Sequence, residues 1–148
     1  MIEDLATQMR APLLTLALLP MAAFGATQTS CPPSLPAEAM NVHAPAGWKS
    51  SSSSEMPLSS AGMMAGPPGS FAYLVPYDQR KVKDGFVHTW IFPDRPEKWL
   101  YCRYDDSSSI QISKRLDDAA TECTVRFTKS KYGGIESAVA ECTAGKRR

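Results

Sequence analysis

The sequence predicts a mainly β domain, a small antiparallel meander closing as a sandwich or barrel and braced by two disulfides. Three observations predict it. From Phe71 onward, runs rich in β-branched and aromatic residues alternate with polar tips every eight to twelve residues. Four cysteines, an even number, all follow an export-type N-terminal segment. A chain of 148 residues has room for one small domain. The net charge of +1 points to neither a nucleic-acid binder nor an acidic tail protein.

At the N-terminus, Ala11 to Leu19 is a nine-residue apolar block followed by Pro20 and small residues through Ala26. As a helix it rises about 14 Å against roughly 30 Å of hydrocarbon, which excludes a membrane span and fits a secretory signal. Glu3 and Asp4 put acid where basic charge belongs, whereas Met9-Arg10 opens a regular signal, so the expected start is Met9. Residues 1–25 are read as signal peptide, with cleavage after Gly25. Cys31 follows Gln28-Thr29-Ser30, which is not a lipidation box. The expected location is periplasmic or secreted, and the mature chain keeps 15 basic against 13 acidic residues.

Residues 26–70 read as an irregular Pro/Ser/Gly-rich arm. They hold Cys31-Pro32-Pro33, the serine run Ser50 to Ser54 and Gly66-Pro67-Pro68-Gly69. Proline removes ladder donors, and serine and glycine clusters favour loops. Residues 71–148 read as the β domain. Its candidate strands are Phe71 to Val75, Phe86 to Phe92, Trp99 to Tyr104, Ile110 to Leu116, Cys123 to Thr128 and Ile135 to Cys142.

The cysteine spacings of 71, 21 and 19 residues lack the close pairs of a zinc site, so disulfides are expected. With a two-residue turn at Tyr132-Gly133, Cys123 falls opposite Cys142, Val125 opposite Ala140 and Phe127 opposite Ala138. Opposed Cα atoms stand roughly 4.5–5.5 Å apart, within disulfide reach. Cys102 and Cys123 are expected on strands flanking Ile110–Leu116, about 9.6 Å apart and too far to bridge. Cys123–Cys142 is therefore favoured, which leaves Cys31–Cys102 to tie the arm to the sheet.

The signal segment, Cys31-Pro32-Pro33, Gly47-Trp48, Gly66-Pro67-Pro68, Leu74-Val75-Pro76, Trp99-Leu100-Tyr101-Cys102-Arg103-Tyr104 and Cys123-Thr124-Val125 carry a resemblance. Together they resemble a family of small secreted four-cysteine proteins of Gram-negative bacteria whose function is uncharacterised. The resemblance implies a periplasmic or secreted location and carries over no catalytic residue.

Catalytic chemistry is sparse. Of the two histidines, His43 lies in the arm and His88 alternates within an aromatic strand, where a structural role is expected over a general base. No GxSxG, GxxxxGK[ST] or GxGxxG occurs. Asp105-Asp106 and Asp117-Asp118 sit at expected hairpin tips and read as turn formers. No catalytic residue, cofactor or metal is expected.

The remaining signal is aromatic. Tyr, Trp and Arg are the types that dominate protein-binding hot spots. Tyr77, Tyr101, Arg103 and Tyr104 form the candidate binding surface. The sequence thus reads as an exported, non-enzymatic binding module, immunity- or inhibitor-like, with a protein partner and no nucleic acid. The rival readings are an accessory subunit of an envelope assembly, docking by strand addition, and a small hydrolase using His88.

Overall fold

In a computed structural model of the protein, the described residues are 25–40, 43–51, 54–92 and 97–144. The signal-peptide reading falls outside them save for Gly25, as do Ser52 and Ser53 of the serine run. The described residues form nine strands: Thr27–Ser30 (β1), Ser34–Leu35 (β2), Met56–Ala65 (β3), Asp78–Val82 (β4), Gly85–Ile91 (β5), Lys98–Tyr104 (β6), Ile110–Arg115 (β7), Glu122–Lys129 (β8) and Ile135–Thr143 (β9). They make two antiparallel sheets, ordered β1-β9-β8-β5-β4 and β2-β3-β6-β7. Each sheet keeps its own edges, so the fold is a two-sheet stack and not a closed barrel.

Alternation places the core between the sheets. Leu58, Ala61, Met63, Leu100, Cys102 and Tyr104 come from one sheet, and they meet Trp90, Cys123, Val125, Phe127, Ala138 and Ala140 from the other. Burying such side chains stabilises by about 1.5–3 kcal/mol for each large one. Lys98 also lies on the inward face. Only 2% exposed, its ammonium donates to the Asp118 carbonyl at 2.8 Å and sits 5.8 Å from the Phe92 ring centre.

Both disulfides form in the expected pairs. Cys123 stands opposite Cys142 in the β8–β9 register, with Cα atoms 4.1 Å apart. Val125 faces Ala140 and Phe127 faces Ala138, as expected. The turn itself is longer than two residues. Gly133 and Gly134 take φ of 91° and 79°, and a bulge at Thr128/Lys129 restores the register. Cys31 and Cys102, with Cα atoms 5.8 Å apart, join the two sheets. The Cys31 N–H donates to Ala138 of β9, while the Leu58 N–H donates to Pro33, so the chain changes sheet across Cys31-Pro32-Pro33.

Three expectations need correction. The stretch 26–70 is not an arm outside the β domain, because it supplies β1, β2 and β3, and β3 lies inside the second sheet between β2 and β6. The boundary near residue 70 therefore does not divide the fold. Phe71 to Val75 makes only one isolated bridge, Tyr73 to Met64, and the polar run Asp78–Val82 provides the strand instead. The Ile110–Leu116 segment is no partner of β8. As β7 it pairs with β6 at a sheet edge, and β8 pairs with β5 and β9 in the other sheet. Cys102 and Cys123 belong to different sheets, and each is bridged to another cysteine.

Candidate functional site

Two tyrosines, one arginine and one glutamine meet on the outer face of β3, β6 and β7. In the inward half of β6 stand Lys98, Leu100, Cys102 and Tyr104, so alternation turns Trp99, Tyr101 and Arg103 outward. Register places Gly62 of β3 opposite Tyr101 and Gln111 of β7 opposite Arg103. A Cβ on Gly62 would lie 2.6 Å from the Tyr101 hydroxyl and 2.8 Å from its ring. Only glycine lets the tyrosine lie down across the strand there.

Tyr73 reaches the same place from the connection that follows β3. Its backbone bridges Met64, and its ring meets that of Tyr101 edge-on, with centroids 5.1 Å apart and planes at 78°. The Arg103 guanidinium carbon sits 4.5 Å from the Tyr73 ring centre and 5.0 Å from that of Tyr101. Gln111 Oε1 accepts from Arg103 Nε at 3.2 Å and from the Tyr73 hydroxyl at 2.9 Å. The Gln111 amide in turn donates to Ser113 Oγ at 3.2 Å and contacts Met64 Sδ at 3.7 Å. Met64 is fully buried beneath this layer. Burial pushes the Tyr101 hydroxyl above its ordinary pKa of 10, and the Arg103 charge offsets part of that rise.

The other residues expected at a binding surface separate from this cluster. Tyr104 is a core residue: it is 0% exposed and its hydroxyl donates to the Pro32 carbonyl at 2.9 Å. It follows Arg103 by one position, so alternation sends it inward. Tyr77 is 77% exposed, but its N–H donates to Thr89 of the first sheet, and no ring contact joins it to Tyr73 or Tyr101. Gln111 and Gly62 complete the cluster around Tyr73, Tyr101 and Arg103, and these two lay outside the expected set. Cross-strand register, which needs the sheet order, is the signal that would have found them.

The groups weighed for chemistry have structural settings. His88 packs against Phe86, Trp90 and Phe127, with centroids 5.1, 5.9 and 5.2 Å away, and burial lowers its pKa below 6.5. Asp105 accepts from Ser107 Oγ, Ser109 Oγ and Ser109 N–H, which shapes the β6–β7 tip and lowers its pKa. Asp117 accepts from the Ala119 N–H at 2.8 Å in the turn after β7. A shallow groove of about 650 Å³ lies between the β4–β5 and β8–β9 turns. Lys81, Lys83, Lys129 and Lys131 line it together with Asp84 and Glu136, and no histidine lines it among the described residues.

Among curated proteins and solved structures, none matches the chain. A protein-family model does, the one described as Type VI secretion system Tli immunity protein, over residues 51–143. Those residues take in β3 through β9 and hence both sheets, the Arg103 cluster and the Cys123–Cys142 bridge. With more than half of its length matched, the chain belongs to the Type VI secretion system Tli immunity protein family.

Proposed function

We propose that this protein neutralises a type VI effector toxin by binding it in the periplasm, with no catalysis of its own. The family match across both sheets carries the reading. Two disulfides that use all four cysteines suit an oxidising compartment. The packed setting of His88, without a carboxylate or serine bonded to its ring among the described residues, favours binding over hydrolysis. The docking surface is the outer face of β3, β6 and β7, where Tyr73, Tyr101 and Arg103 are held in place before any partner arrives. Because these side chains are already fixed, they lose little further freedom on binding.

The test is protection. The protein, exported to the periplasm, is produced together with each toxin encoded beside it. Growth should be restored against one of these toxins, and the same chain held in the cytoplasm should give no protection. Failure of the exported, oxidised protein to protect against any of them would overturn the reading.

A further inference from the structure

We infer that Arg103 is a receptor for an acidic side chain of the effector, gripped by the free guanidinium edge between Tyr73 and Tyr101. The inference rests on the effector-binding reading and names the chemistry recognised there. Arginine carries five N–H donors in one plane. Nε–H is taken by Gln111. The four donors on Nη1 and Nη2 have no acceptor among the described residues, where the one ion pair joins Arg115 to Asp118. A half-buried cation is thus built into the sheet without a counter-ion among the described residues.

The surroundings fix its plane. Tyr73 and Tyr101 stack near it, Gln111 holds its stem side, and Gly62 allows Tyr101 to lie where it does. Gly62 is accordingly a positioning residue. The outward positions of β6 and β7 carry Arg103 and Arg115 and no acidic residue. Phe71, 75% exposed and held at a φ of 54°, extends the aromatic rim 6.5 Å beyond Tyr73. A carboxylate matches this edge in shape and charge, because its two oxygens accept from the two Nη groups in parallel. Aromatic walls then keep water from the pair and strengthen it.

Titration calorimetry of the oxidised protein with the toxin identified by protection tests this. Arg103→Ala should weaken the complex about 30-fold or more. Arg103→Lys, which keeps the charge and the stem but not the fork, should weaken it about tenfold. Replacing one Asp or Glu of the toxin by its amide should weaken the wild-type complex and make Arg103→Ala nearly silent. Both Arg103 variants binding within threefold of wild type would overturn the inference and leave the immunity reading standing. A loss at Arg103 that couples to no single acidic residue of the toxin would overturn it too. If the unaltered protein forms no complex, the effector-binding reading itself falls.

Discussion

Replacing Cys31 and Cys102 together by alanine is expected to cost about 4 kcal/mol of unfolding free energy. Opening Cys123–Cys142 should cost about 3 kcal/mol. The difference follows from loop length. The first bridge joins residues 71 apart in sequence and the second joins residues 19 apart, so the first restrains more of the unfolded chain. Structure adds to this. Cys123 and Cys142 are already neighbours in a hydrogen-bonded ladder, whereas Cys31–Cys102 spans the two sheets where the chain crosses between them. Urea unfolding of the oxidised proteins measures both losses. A Cys31/Cys102 variant within 1 kcal/mol of wild type would show that the inter-sheet bridge restrains little.

The second large effect is at Tyr104. Its ring is fully buried in the core beside β3, and its hydroxyl donates to the Pro32 carbonyl at the sheet crossing. Tyr104→Ala should cost about 3–5 kcal/mol, the range for deleting a buried aromatic ring. Tyr104→Phe removes only the hydroxyl and leaves the Pro32 carbonyl short of a donor, at about 1–3 kcal/mol. Burial pushes the Tyr104 pKa from 10 up to about 12. The folded value lies above the unfolded one, so this contribution is complete below pH 10 and is lost as pH rises through 12. Tyr104→Phe should lack that alkaline decline while binding the toxin as wild type does. A stable Tyr104→Ala that fails to bind would return Tyr104 to the surface.

What the sequence made legible was periodic. Aromatic β5, alternating β6 and the β8–β9 hairpin with its cysteine register all follow from period-two patterning. Strand β3 hid for a physical reason. A bulge between Leu58 and Ser60 shifts its parity, so Leu58, Ala61 and Met63 all face inward although they are three and then two residues apart. Its Pro57, two serines and Gly62 also read as loop. Strand β4 hid because it is an edge with almost no buried residue. Arg103 and Tyr101 were visible as types, but their partners come from β7 and from the connection after β3. No local pattern links the connection after β3 to β6, and although β7 was expected beside β6, the tip between them does not by itself fix which residue faces Arg103.

Hydrogen exchange of the protein alone and bound to its toxin tests most directly where recognition occurs. The Leu116 N–H donates to Lys98, so the N–H groups of Gln111, Ser113 and Arg115 point away from β6 along an open edge. The toxin should slow exchange across 71–77, 99–103 and 111–115, and leave the turns around the lysine-lined groove unchanged. Slowing confined to residues 81–85 and 129–134, with β6 and β7 unaffected, would place the toxin on the basic end of the sandwich and contradict docking at Arg103.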